Sequence, residues 1–256
     1  MPSVANVKRS QVLRPPMMLL YAVEGIGKTT LGAESPDCVF LQTEDGLGLL
    51  DPPTLGMHHT FDLVLESIGS LYEEAHDFKT LVLDSADHLE PLIHAKACED
   101  NGWKRIDQPD FGRGYAAATD HWKLLLQALS ALRNDRGMSI IILAHNTIQK
   151  FDAPESASYD RYVPKLHKTA SALIRETCDA VFFGNYRVST VESKPGHGKK
   201  ITRGIGGEER VIYTEERPSH MAKNRFAMPP SIPLSWESVA EHIPYFNQAN
   251  QKKEAA

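Results

Sequence analysis

Residues 22–30 read A-V-E-G-I-G-K-T-T and join an apolar run, M-M-L-L-Y, to a stretch of helical character. Glycines let a loop turn its backbone N–H groups inward toward an anion, and a lysine followed by a hydroxyl residue adds a point charge and a metal ligand. Val23, Glu24, Gly25, Ile26, Gly27, Lys28, Thr29 and Thr30 are therefore candidates for a phosphate cradle. Gly27 would admit the backbone close to the phosphates, Lys28 would reach the β and γ phosphates, and Thr29 would place its hydroxyl on Mg²⁺. The pattern G-x-x-x-x-G-K-[ST] is met except at its first position, Ala22. That glycine mainly serves the exit from a strand, and alanine is its smallest replacement. The plainer reading is a helix start after a flexible turn, but a strand before the loop and a helix after it favour phosphate binding.

A metal-bound triphosphate needs a second anchor. T-L-V-L-D-S places Asp84 at the carboxyl end of an apolar strand, the edge where open α/β sheets bind ligands. Asp84 and Thr29 form the candidate Mg²⁺ pair, with capping of the next helix as the competing role for Asp84. His58 and His59 make no metal-binding spacing with any cysteine or nearby histidine.

Two stretches interleave cations with rings or turns, a composition that suits single-stranded nucleic acid. One holds Lys150, Phe151, Tyr159, Arg161, Tyr162, Lys165 and Lys168; the other is E-S-K-P-G-H-G-K-K-I-T-R, with Lys194, Lys199, Lys200 and Arg203. Either could equally be a solvated charged surface.

Around these residues the chain alternates apolar runs with helical periodicity. Residues 17–22, C-V-F-L-Q-T-E, K-T-L-V-L-D-S-A-D, M-S-I-I-I-L-A-H and A-V-F-F-G-N-Y-R-V read as strands. Helices are expected from Lys28 to Glu34, near residues 61–76, over Y-A-A-A-T-D-H-W-K-L-L-L-Q-A-L-S-A-L-R-N-D and over T-A-S-A-L-I-R-E-T-C-D. Residues 147–168 read as a mobile loop. Apolar strands alternating with helices predict an α/β fold with a mostly parallel sheet covered on both faces. After that core, β-prone residues between glycine-rich turns predict antiparallel hairpins at the sheet edge. The expected organisation is an N-terminal extension over residues 1–16, one domain over 17–246 and a flexible tail over 247–256.

The 256 residues carry a net charge of −5, distributed unevenly. Residues 33–100 hold fifteen acids against two lysines, whereas the chain from Asn101 onward holds 22 bases against 17 acids, so a polyanion partner is not excluded. The three cysteines, Cys38, Cys98 and Cys178, are far apart and odd in number, which argues against a disulfide framework or a metal knuckle. No stretch approaches the roughly 18 apolar residues of a membrane span. A soluble cytoplasmic protein is the expectation.

These segments resemble RecA-type recombinases and ring helicases. C-V-F-L-Q-T-E-D-G-L is similar to the segment that carries their catalytic glutamate, which activates the attacking water; here that is Glu44. I-I-I-L-A-H-N-T-I-Q is similar to the strand ending in their γ-phosphate sensor, here His145 where many use glutamine. The late H-M-A-K-N-R-F resembles their Lys-x-Arg element, which reaches a neighbour's nucleotide, and implies catalytic roles for Lys223 and Arg225. Read without the resemblance, Glu44 is an acid in an exposed run, His145 a satisfied core histidine, and Lys223 with Arg225 a solvated turn. More narrowly, segments spanning most of residues 17–236 look like the phage nucleotide-binding AAA-domain family, which includes single-strand annealing recombinases. The resemblance implies a RecA-like P-loop core, ATP and Mg²⁺ as ligands and single-stranded DNA as partner. It also implies a homo-oligomer, ring or filament, with nucleotide at subunit interfaces, and a possible single-strand DNA-binding protein as partner. Too few residues precede the first strand for RecA's polymerisation module, so the resemblance is to a minimal core. Other readings that fit are an ATPase motor or loader acting on a replication protein, and a nucleotide-binding interaction module with little turnover.

Overall fold

The computed structural model describes residues 13–152, 157–193 and 201–247, without side chains for 188–193 and 201–206. Lys194, Lys199 and Lys200 lie outside the described residues, as does the side chain of Arg203.

Strand β1 (Met17–Ala22) leads through a loop into helix α1 (Lys28–Ala33), then β2 (Cys38–Gln42), β3 (Thr54–Met57) and α2 (Phe61–Glu73). β4 (Thr80–Asp84) feeds α3 (Ala86–Asn101), a short 3₁₀ turn and α4 (Arg113–Asp135). There follow β5 (Ser139–Phe151), β6 (Tyr159–Pro164), α5 (Lys168–Thr177), β7 (Ala180–Ser193), β8 (Ile201–Tyr213), β9 (Lys223–Asn224), β10 (Ser231–Pro233) and α6 (Trp236–His242).

Among the described residues these strands form one sheet ordered β10-β8-β7-β1-β5-β4-β2-β3, with β6 on β5 and β9 on β7. The pairings from β7 across to β3 are all parallel, and those of β8, β10, β6 and β9 are antiparallel. A mostly parallel sheet with antiparallel edge strands is what the alternation predicts.

Because successive side chains of a strand point to opposite faces, β1 feeds two cores. Met17, Leu19 and Tyr21 pack with Phe61, Leu89, Trp122 and Ile174 from α2, α3, α4 and α5. Met18, Leu20 and Ala22 pack with Leu31 of α1 and with Trp236 and Val239 of α6. Cys38, Cys98 and Cys178 are free and buried. Among the described residues no helix is long and apolar enough to cross a membrane.

The expected mobile loop at 147–168 is corrected. β5 runs on to Phe151 and pairs antiparallel with β6, in register from Asn146↔Pro164 to Phe151↔Tyr159. Thr147, Ile148, Phe151, Tyr159, Tyr162 and Val163 have the β-branched or aromatic side chains that suit a pleated surface, and they outweigh the local charge. Two other elements were unexpected. β3 lies in the proline-rich D-P-P-T-L-G-M and is defined by backbone pairing to β2. α3 carries acids and histidines around its circumference and Pro91 inside, so its apolar face is weakly marked.

Candidate nucleotide site

The loop after β1 has the backbone a cradle requires. Gly25 has φ 69° and Gly27 φ 109°, conformations that L side chains resist. A Cβ on Gly27 would also sit 3.0 Å from a guanidinium nitrogen of Arg210. Gly27 caps α1 and offers no side-chain acceptor to the N–H groups of the first turn. The atypical Ala22 is accommodated by its neighbour: it pairs with Gly184 of β7, where a Cβ would come within 2.8 Å of the Ala22 methyl.

Gly25, Gly27, Lys28, Thr29, Thr30, Glu44, Gly46, Leu50, Asp84 and His145 line one cleft of about 260 Å³ at the carboxyl edge of the sheet. Thus the loop, both candidate metal ligands, the candidate base and the candidate sensor, read separately along 124 residues of chain, face one space. Thr29 Oγ1 donates to Asp84 Oδ2 at 2.9 Å. Glu44 Oε2 accepts from Ser85 Oγ at 2.9 Å and lies 3.0 Å from His88 Nδ1 and 3.9 Å from His145 Nδ1. Of the remaining loop residues, the Ile26 side chain is in the core, Glu24 is exposed, and the Val23 carbonyl accepts from Lys28 Nζ at 3.4 Å.

The electrostatics fit a metal-bound polyphosphate. Lys28 is only 7% exposed, and among the described residues its one hydrogen bond is the long one to Val23. Burial pulls its ammonium below the usual lysine range, against the pull of Asp84 and Glu44. Burial likewise pushes the Asp84 carboxyl up, opposed by the Thr29 hydrogen bond, reinforced by Glu44 and opposed again by Lys28. A buried cation and a buried carboxylate that are both incompletely neutralised gain from a triphosphate and a divalent cation respectively. Lys28 with the loop N–H groups would hold the phosphates, and Thr29 with Asp84 would hold Mg²⁺.

Sequence reasoning missed the segment that ties this site together. Ser85, Asp87 and His88 follow Asp84 directly, and the run D-S-A-D-H was the available signal, since positions 84 to 88 span the strand exit and the first helical turn. Arg210 was also missed; its Nη1 donates to the Ile26 carbonyl at 3.1 Å from an antiparallel strand far along the chain.

Lys223 and Arg225 are not brought to this cleft. β9 pairs with Ala180 and Val181 at the start of β7, the opposite sheet edge from Gly184 and the loop. Lys223 Nζ donates to the carbonyls of Arg175, Glu176 and Cys178 at 2.7, 3.1 and 2.6 Å, capping α5 with all three of its protons. Arg225 meets Asp179 at 3.3 Å and stays 56% exposed.

The stretch 150–168 divides in the same way. Lys150, Phe151, Lys165 and Lys168 are exposed and Tyr159 partly so. Arg161, expected at a nucleic-acid surface, is instead 5% exposed: it pairs with Glu216, donates to the His220 carbonyl at 3.1 Å and lies 5.1 Å over the Phe151 ring. Tyr162 stacks on Phe183 at 4.9 Å within the aromatic core. Adjacent on β6, the two point to opposite faces, and each is held by the fold: Arg161 by its ion pair and carbonyl, Tyr162 by its stacking.

A family model described as an AAA domain matches residues 14–226. The chain belongs to this AAA-domain family. No curated protein matches it. A crystal structure of the RadB recombinase superposes with a TM-score of 0.47 at 16% identity, covering 88% of this chain and 90% of that one. The matched residues include the loop after β1 and every residue that lines the cleft.

Proposed function

We propose that this AAA-domain protein binds and hydrolyses Mg·ATP and couples that cycle to single-stranded DNA, in the manner of the RecA-like phage annealing recombinases its sequence resembles. The observation that carries the hydrolysis reading is the convergence of Lys28, the Thr29–Asp84 pair and Glu44 on one cleft.

In this reading Lys28 neutralises the phosphates and Thr29 and Asp84 hold Mg²⁺, which supplies charge neutralisation on the transferring phosphoryl group. Glu44, fixed by Ser85 and His88, accepts a proton from the attacking water. His145 contacts the terminal phosphate. Arg225, with its exposed guanidinium, is the group available to a neighbouring subunit in a homo-oligomer, while Lys223 supports α5.

For DNA, the exposed cations Lys150, Lys165 and Lys168 with Phe151 and Tyr159 are the proposed contacts. A second surface supports the same reading. Phe111 is fully exposed on a turn with φ 58°, in a stretch that also carries Lys104, Arg105 and Arg113. An exposed ring suits base stacking, and of the cations in this stretch Arg105 is paired with Asp107. The test is hydrolysis with and without single-stranded DNA, alongside gel shifts at low salt. Stimulation and binding support the reading; equal rates and no shift overturn the DNA part of it.

A further inference from the structure

Asp87 sits in the first turn of α3 and reaches across to the end of β5. Its Oδ1 accepts the His145 backbone N–H at 2.9 Å and its Oδ2 lies 3.0 Å from His145 Nδ1. The Asp87 side chain is 2% exposed, so this carboxylate has been taken from water; besides both His145 contacts, its Oδ2 lies 3.5 Å from His88 Nδ1. A carboxylate only accepts, so Nδ1 must carry the proton, and Nε2 is the nitrogen left for the cleft that His145 lines. A freely turning imidazole would offer either nitrogen.

We propose that Asp87 is a positioning residue for ATP hydrolysis: it fixes the ring of His145 and keeps a proton on Nδ1, so that Nε2 is presented to the terminal phosphate. This rests on the proposed hydrolytic function of the same cleft. To donate to a phosphate oxygen Nε2 must also carry a proton, and the hydrogen bond from Asp87 holds His145 above the usual histidine range. The charged groups around the ring act with and against it. Asp87 and Glu44 favour the imidazolium and Lys28 opposes it; His88 sits edge-on at 5.7 Å, Asp84 lines the same cleft, and Lys165, exposed, bonds the His145 carbonyl through its backbone N–H.

The arrangement places consecutive duties on one short segment. Asp84 holds Thr29, Ser85 and His88 hold Glu44, and Asp87 holds His145. A shift of the start of α3 would therefore move base and sensor together.

The test compares wild type with Asp87→Asn, His145→Gln and the double variant, reading kcat and KM for ATP across pH, with circular dichroism as the folding control. The ¹⁵N shifts of His145 report its tautomer independently of turnover. The expected result is Nδ1 protonated in wild type and a mixed population in Asp87→Asn. kcat should fall about 10- to 100-fold, as for other groups that orient a functional imidazole, with KM changed less than about threefold. The alkaline limb of the pH profile should move to lower pH, and Asp87→Asn should add nothing in the His145→Gln background. An active wild type with unchanged kcat and tautomer in Asp87→Asn overturns this inference alone, as does an equal loss in the His145→Gln background. A folded wild type that hydrolyses no ATP overturns the hydrolytic reading and this inference with it.

Discussion

The hydroxyl of Thr29 donates to Oδ2 of Asp84 at 2.9 Å, joining the first turn of α1 to the carboxyl end of β4 across 55 residues of sequence. The contact decides how Asp84 is used. Asp84 was equally eligible to cap α3, but that helix starts from Ser85 with no side-chain cap, and the carboxylate turns to the cleft instead.

Gly27→Ala should damage the site without emptying the fold. The new Cβ would have to adopt φ 109° and approach Arg210 Nη1 at 3.0 Å. A strained backbone of this kind costs of order 1–3 kcal/mol. Urea unfolding should report that loss, and Mg·ATP affinity should fall at least about tenfold, the equivalent of 1.4 kcal/mol.

Glu44→Gln keeps the size of the side chain and its acceptor for Ser85 but removes the base. The variant should bind Mg·ATP within about threefold of wild type while hydrolysis drops about 10²- to 10⁴-fold, the usual contribution of a general base. Unchanged turnover would favour the interaction-module reading.

Arg161 makes a prediction opposite to its sequence appearance. Its guanidinium serves Glu216, the His220 carbonyl and the Phe151 ring. Arg161→Met should cost about 1–3 kcal/mol of stability, the penalty for orphaning the buried His220 carbonyl, and leave the DNA affinity of the folded fraction unchanged. By contrast, Lys165→Ala or Lys168→Ala should leave stability within about 0.5 kcal/mol and lower the salt dependence of DNA binding by about one unit of slope.

The Asp87–His145 pair predicts a pH window for stability. Burial pushes Asp87 up, but the hydrogen bonds from His145 win and hold it at about 2, below the usual carboxylate range. A depressed carboxyl contributes above its unfolded value and loses that contribution as pH falls through its folded value. His145 is raised from 6.5, so its contribution is complete below that value and is lost as pH rises through the folded one. The stability gap between wild type and Asp87→Asn should therefore be widest between about pH 4 and 6.5, narrowing on either side, as denaturant midpoints at pH 3, 5.5 and 9 would register.

Much of the fold was legible because its strands are nearly pure apolar runs and its glycines mark the loop. Ile140, Ile141, Ile142 and Leu143 announce a buried strand from composition alone. α3 was not legible, since its apolar positions are few and Pro91 interrupts it. At the site, Lys28, Thr29 and Asp84 follow from local spacing, and Glu44 and His145 from the resemblance to RecA-type segments. Asp87 and His88 do not, because their importance depends on which strand lies next to α3, a fact of sheet order that no local pattern encodes. Arg161 illustrates the same limit in reverse: its charge suggests a surface, and only the inward turn of β6 reveals its burial. Lys223 likewise looks available until the end of α5 is seen to occupy it.

The central claim is that the loop around Gly27 and the ammonium of Lys28 grip a nucleotide triphosphate. Titration calorimetry of Mg·ATP into wild type and Lys28→Ala, both shown to be folded by circular dichroism, tests it most directly. The account predicts saturable one-to-one binding for wild type and none for the variant. Folded wild type that gives no saturable heat, or a variant that binds as tightly as wild type, would contradict it.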